Sequence, residues 1–249
     1  MYKSDSSTSW SIETRIVKEI ITKESIFIDF DGCLTYNGLE MHNEALSEVI
    51  RRHTPYGIKI ENDKIPNTSF EKNYGELFPK LFGMKKPESK EALQAIIKEH
   101  LDLFDEKTKS GKIVVNKKIQ EVIAIANKYK IPTSILSMGK TSYIKNFLDY
   151  CKIFVKAYDS PSVTSNNELY LEDIYAADHI LRCDEEGIIK LGKTDFIEYY
   201  AKTKGIDIKN CLMFDDTKEV IEEMTQKGIP AIYVKSADNT PASCGIALL

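Results

Sequence analysis

The sequence predicts an α/β fold: a doubly wound parallel sheet with a helical insertion after the first strand. Three observations predict it. Short apolar runs, each bounded by polar or turn residues, recur along the chain, as strands buried on both faces of a parallel sheet do. Helical patterns separate most of these runs, which is the alternation of a doubly wound fold. One long stretch breaks the alternation with helical patterns alone.

Residues 1–9 are polar and Ser-rich and read as a loose tail. Residues 10–22 place Trp10, Ile12, Ile16, Val17, Ile20 and Ile21 at mixed helical spacings, predicting a short amphipathic helix. Ile26-Phe27-Ile28-Asp29-Phe30 is the first strand run. Residues 36–112 then hold no convincing strand. Their helical patterns, clearest at 41–53 and 88–107, are punctuated by Pro55, Gly57, Pro66, Pro79, Gly83 and Pro87. This is the helical insertion. The alternation resumes with helical residues 114–129, a strand at 133–137, a helix at 141–151 and a strand at 153–158. Residues 159–190 interrupt it again, with a hairpin predicted around Glu186-Gly187. Helices at 194–204 and 217–227 then flank a strand at 211–214 and lead to another at 230–234. The reading gives a core over 10–35 and 113–235, an insertion over 36–112, and tails at 1–9 and 236–249.

A chain of 249 residues is long enough for one core domain and a smaller inserted one. Its 42% apolar and 29% charged residues are an ordinary globular balance. Thirty-four Lys and Arg oppose thirty-eight Asp and Glu, for a net charge of -4. No basic excess points to nucleic acid or an anionic membrane, whereas a small anionic substrate stays compatible. The cysteines Cys33, Cys151, Cys183, Cys211 and Cys244 are odd in number and form no Cys-x-x-Cys pair. Free thiols in a reducing compartment are expected rather than a disulfide framework or zinc cluster. Nothing near Cys33 forms a Cys–His pair, so it is not read as a nucleophile. No apolar run approaches the roughly 20 residues of a membrane span, and the start lacks a secretory pattern. A cytoplasmic location is expected. The oligomeric state is not legible.

Ligands of an open parallel sheet sit beyond the carboxyl ends of its strands. Three predicted strands end there in polar residues: Asp29-Phe30-Asp31-Gly32, Ser137-Met138-Gly139 and Asp215-Asp216. Four carboxylates gathered in one crevice repel each other unless some stay protonated or a cation joins them. Mg²⁺ prefers oxygen ligands and neutralises a phosphate on its far side. Ser137 precedes a helix, where its hydroxyl and backbone N–H groups suit an anion. Lys193, in Gly192-Lys193-Thr194 before another helix, offers further positive charge. Metal, lysine and N–H donors together suit phosphoryl transfer. Taken singly, Ser137 reads more readily as a helix cap, Lys193 as a solvated lysine and Asp215-Asp216 as a turn and cap. The reading rests on the ordered set.

That set resembles the haloacid dehalogenase (HAD) superfamily. The Asp-x-Asp-Gly-x-x-Thr motif after an apolar strand appears as Asp29-Phe30-Asp31-Gly32-Cys33-Leu34-Thr35. The Ser or Thr closing an apolar strand appears in Ile135-Leu136-Ser137. The Lys ahead of a helix appears as Lys193, and the paired acids after an apolar strand as Leu212-Met213-Phe214-Asp215-Asp216. The four motifs fall in the family's order over residues 26–216. Cys33 stands where many members carry Thr or another small residue.

The resemblance implies roles. Asp29 is expected to be the nucleophile that forms an aspartyl-phosphate, and Asp31 the acid/base. Mg²⁺ is expected on Asp29, on the backbone carbonyl of Asp31, on Asp215 and, directly or through water, on Asp216. Ser137, Met138, Gly139 and Lys193 are expected to hold the phosphoryl oxygens. An acid at position 31 favours phosphatases and phosphomutases over dehalogenases. Residues 36–112 take the place of a helical cap, which limits substrates to small molecules. The expected activity is therefore hydrolysis of a small phosphorylated metabolite. A protein (phosphotyrosine) phosphatase and a phosphomutase stand as alternatives, and a non-enzymatic binding module is disfavoured because no motif acid is lost. His42, His53, His100 and His179 are scattered and receive no catalytic role.

Overall fold

The computed structural model describes residues 12–54, 72–111, 113–159, 169–176, 181–184, 187–235 and 245–247. The expected tail at 1–9, Trp10, the breakers Pro55, Gly57 and Pro66, residue His179, the hairpin tip at Glu186 and the tail residues 236–244 lie outside them.

The chain forms two compact units, residues 1–36 with 115–249, and residues 37–114. In chain order the elements are α1 (Thr14–Ile21), β1 (Ser25–Ile28), α2 (Gly38–Arg52), a π-helical turn (Asn73–Leu77), α3 (Phe78–Phe82), α4 (Lys90–Lys109) and α5 (Lys117–Lys128). Then follow β2 (Thr133–Leu136), α6 (Thr141–Tyr150), β3 (Ile153–Val155), β4 (Leu169–Leu171), β5 (Ile174–Tyr175), β6 (Leu181–Asp184) and β7 (Gly187–Lys190). The last elements are α7 (Lys193–Lys204), a 3₁₀ turn (Ile208–Asn210), β8 (Cys211–Asp215), α8 (Lys218–Gln226), β9 (Ala231–Lys235) and β10 (Gly245–Ala247).

The main sheet of the first unit has the order β10-β9-β8-β1-β2-β5. All its pairings are parallel except that of β10 with β9. Every residue of β1, β2 and β8 is buried, so both faces of the sheet's centre are covered. Phe27 points to one face, packed with Phe196, Ile197 and Ala201 of α7, Met224 of α8, and Met213 and Leu136 from neighbouring strands. Its ring meets Tyr200 edge-on at 5.0 Å. Ile26 and Ile28 alternate to the other face and are fully buried. Helix α5 packs against β2 and against α1.

Two expectations need correction. The run at 153–158 forms a strand only as far as Val155, and it pairs in parallel with β4 outside the main sheet. The Asp159 carboxylate accepts a hydrogen bond from Val155 N at 2.7 Å, and the Asp159 N–H bonds back to Val155 O, which turns the chain. The place beside β2 goes to the two-residue β5, too short to carry a periodic signal. Residues 245–247, read as part of a tail, form the antiparallel edge strand. The hairpin expected near Glu186-Gly187 corresponds to β6 and β7, with Asp184 opposite Gly187.

The second unit is helical. It spans Asn37–Val114. Thr35 bridges to Val115, and the Tyr36 hydroxyl donates to Asn116 Oδ1 at 3.0 Å, so Tyr36 belongs with the first unit. Leu46, Val49 and Ile50 of α2 pack with Tyr74, Phe78, Phe82, Met84, Ile96 and Ile97. Ser89 caps α4 by accepting from Ala92 N at 3.1 Å. The histidines scattered in sequence partly meet here: His100 Nδ1 lies 2.7 Å from the Tyr74 hydroxyl, and its Nε2 3.3 Å from His42 Nδ1. Burial pushes the His42 imidazole down to about 4. No helix among the described residues is long and apolar enough to cross a membrane.

The aromatic packing under the sheet is expected to dominate the first unit's stability. Phe27→Ala should cost about 3–5 kcal/mol, read from urea unfolding with an unchanged m value. A loss below about 1 kcal/mol would contradict the packing described.

Candidate active site

Register brings the acids together. Phe214 pairs with Ile28, and Ile28 pairs with Ile135. Asp29, Leu136 and Asp215 therefore occupy one tier at the carboxyl ends of three adjacent parallel strands. Asp29 N donates to Phe214 O at 2.9 Å, which locks the first motif acid beside the fourth motif strand. Ser137 follows at the end of β2, its N–H bonded to Tyr175 O at 3.0 Å.

After Asp29 the chain makes one wide turn. Leu34 N donates to Asp29 O at 3.2 Å and Thr35 N to Phe30 O at 3.0 Å. The turn passes through Gly32 at φ +80°, a conformation that L side chains rarely adopt. A Cβ on Gly32 would stand 1.9 Å from Asp216 Oδ2, so the glycine also makes room for that carboxylate. The far side of the turn is clamped by Asn116, which is fully buried. Its Nδ2 donates to Cys33 O at 3.0 Å and its N–H to Leu34 O at 2.8 Å. Its Oδ1 also accepts from Lys118 N at 3.0 Å, capping α5.

Asp29, Asp215 and Asp216 each offer a carboxylate oxygen, and these oxygens lie within 4.8 Å of one another. Lys193, the first residue of α7, places Nζ 2.7 Å from Asp29 Oδ1 and 2.7 Å from Asp215 Oδ2. Asp215 is fully buried, and its Oδ1 accepts from Thr217 N at 2.8 Å. The carboxylate of Asp31 stands outside the three-acid cluster and accepts a hydrogen bond on Oδ1 from the Tyr143 hydroxyl. Ser137 Oγ accepts from Gly139 N at 3.0 Å. It is not the cap of α6, a position that falls to Lys140. Met138 is exposed.

The electrostatics follow from burial and crowding. Burial pushes the Asp29 carboxyl up to about 7; Asp215 and Asp216 add to the rise while Lys193 opposes it. Burial likewise raises Asp31 to about 7, against the Tyr143 hydrogen bond and with help from Asp29. Asp216 rises to about 6 through burial and then Asp215. Burial alone would lower the Lys193 ammonium, but Asp29 and Asp215 outweigh it and hold it above its ordinary value. Four carboxylates and one ammonium leave the site three negative charges in excess when all are ionised. An all-oxygen donor set with excess negative charge fits a hard divalent cation such as Mg²⁺.

Two residues close to this chemistry were missed in the sequence. Tyr143 sits mid-pattern on α6, where an aromatic reads as core. Asn116 gave one usable signal, an Asn immediately before a helical run.

No family model matches the chain, and no curated protein matches it. Solved structures do. The CbbY protein of Rhodobacter sphaeroides in complex with phosphate superposes with a TM-score of 0.62 at 15% identity, over 89% of this chain and 91% of that one. A mutant of the same protein in complex with xylulose-(1,5)bisphosphate gives 0.60 at 14% identity, over 84% of each chain. A HAD hydrolase of family IA, variant 3, from Entamoeba histolytica gives 0.55 at 16%, over 87% of this chain and 86% of that one. This chain has the HAD fold. β-Phosphoglucomutase from Clostridium difficile also shares it, with a TM-score of 0.55 at 16% identity over 84% of this chain and 83% of that one.

The raised carboxyls set a pH dependence. A carboxyl whose folded pKa lies above its unfolded value holds more protons when folded, so its contribution is lost as pH rises between the two. For Asp29, Asp31 and Asp216 that interval runs from 3.8 to about 6 or 7. Protein in EDTA should therefore melt lower at about pH 8 than at about pH 5, and Mg²⁺ should raise the midpoint more at the higher pH. A Mg²⁺ increment equal at both pH values would contradict this electrostatic account.

Proposed function

We propose that this protein is a Mg²⁺-dependent phosphomonoester hydrolase that works through an aspartyl-phosphate on Asp29 and acts on a small phosphorylated metabolite. The company Asp29 keeps carries the reading: two further carboxylates within 4.8 Å, and a lysine ammonium at 2.7 Å. A carboxylate so placed is a nucleophile held beside positive charge.

Asp29 attacks phosphorus and Asp31 serves as acid and then base. Mg²⁺ would be held by the carboxylates of Asp29, Asp215 and Asp216 and by the backbone carbonyl of Asp31. When bound, it supplies the positive charge that lets a phosphate dianion enter a site rich in acids. Lys193, Ser137 and the backbone of Met138 and Gly139 hold the phosphoryl oxygens. The helical unit at 37–114 follows directly on the loop that carries both catalytic acids, and we assign it the selection of substrate. The CbbY complexes with phosphate and with xylulose-(1,5)bisphosphate support a small phosphorylated substrate. Cys33, Cys151 and Cys211 are free thiols, which supports a reducing, cytoplasmic setting. The net charge of -4 gives no reason to expect nucleic acid or a membrane surface as partner.

A phosphomutase is the second reading, favoured by the likeness to β-phosphoglucomutase. One experiment separates the two and tests both. Phosphate release is measured with Mg²⁺ across sugar phosphates, nucleotides, phosphoamino acids and phosphopeptides. Steady hydrolysis of one small metabolite is expected, silenced by EDTA and reduced to background in Asp29→Asn. Turnover only with a sugar phosphate and a bisphosphate primer would favour the mutase. Preference for phosphopeptides would replace the metabolite with a protein substrate. Full activity in Asp29→Asn would remove Asp29 from its role.

A further inference from the structure

We propose that Tyr143 is a positioning residue for Asp31: it holds Oδ1 of that carboxyl as a hydrogen-bond acceptor and so assigns proton transfer to Oδ2. The inference rests on the acid/base role proposed for Asp31.

The tyrosine is held from several sides. It rides on α6, whose Ile144, Phe147 and Leu148 are buried. Its ring meets Phe30 edge-on at 5.0 Å and 85°. Phe30 is the residue between the two motif acids, and its ring also packs against Phe147 at 5.2 Å and 86°. A Cβ on Gly139 would lie 3.3 Å from Tyr143 Cε1, so the glycine leaves the ring its space. So placed, the Tyr143 hydroxyl donates to Asp31 Oδ1. A phenol is protonated at neutral pH and has this donor to give.

The consequence concerns which oxygen moves the proton. A carboxyl group that accepts on one oxygen carries its own proton on the other. In the first half-reaction an Asp29 oxygen bonds to phosphorus and the phosphorus–oxygen ester bond breaks. Its electron pair stays on the leaving oxygen, which takes the proton from Asp31 Oδ2. In the second, Oδ2 takes a proton from water, the water oxygen bonds to phosphorus, and the Asp29 carboxylate departs. Tyr143 keeps its proton throughout. Without it, rotation of the carboxyl group exchanges its two oxygens and the proton is misdirected for part of the time.

Leaving groups read this out. An alkoxide needs protonation as it leaves, whereas p-nitrophenolate does not. Tyr143→Phe keeps the ring and removes the donor. It should lower kcat/KM for an alkyl phosphate on the order of 10- to 100-fold, and for p-nitrophenyl phosphate by less than about threefold. Across a graded series of phosphate esters, its dependence on leaving-group acidity should steepen toward that of Asp31→Asn. Because that dependence is a ratio between substrates, loss of folded protein does not change it. A Tyr143→Phe dependence parallel to wild type would overturn the assignment while leaving the phosphatase reading intact. Wild-type silence, or turnover surviving in Asp29→Asn, would instead overturn the phosphatase reading and this inference with it.

Discussion

Burial of several carboxyl groups at the carboxyl ends of the sheet's central strands, with their mutual repulsion as a smaller addition, is the constraint on which the site depends. Asp29, Asp31 and Asp216 are each raised well above an ordinary carboxyl. Lys193 offsets part of the conflict by lying between Asp29 and Asp215. One ammonium cannot balance four acids, and the remainder is the electrostatic basis for a divalent cation. The same lysine, first residue of a helix, is what the sequence offered as a phosphate ligand. In its position between two acids that ammonium is already shared, so it has little positive charge left to offer an anion.

The scaffold holds this crowding in place by strand register and by hydrogen bonds to the backbone. Parallel pairing puts Asp29 and Asp215 on one tier, and the backbone bond from Asp29 N to Phe214 O holds them there. The wide turn from Asp29 to Thr35 exists because Gly32 can take φ +80° and because Asn116 satisfies the carbonyls of Cys33 and Leu34. Each is a backbone or short-side-chain device, so the acids are held without relying on one another.

The fold was legible where apolar runs were long enough to report their own period. The runs at 26–30, 133–137, 211–214 and 230–234 correspond to β1, β2, β8 and β9. The sheet's edges were not legible. Ile174–Tyr175 is two residues long, and Ile153–Val155 carries the same apolar signal as a sheet strand although it pairs elsewhere. The acids of the site were legible because their spacing is local and their order along the chain is distinctive. Tyr143 and Asn116 were not, because each contributes through contacts distant in sequence. The bond from Tyr143 joins residues 112 positions apart, and no local pattern marks it.

The central claim, that this acid cluster is built to bind a cation and ionises fully only around one, is tested most directly by isothermal titration of Mg²⁺ into metal-free protein near pH 7. Runs in buffers of different ionisation enthalpy count the protons released. One saturable site that releases protons on binding, lost in Asp215→Asn, is expected. Absence of saturable binding, or binding with no proton release and no dependence on Asp215, would contradict the account.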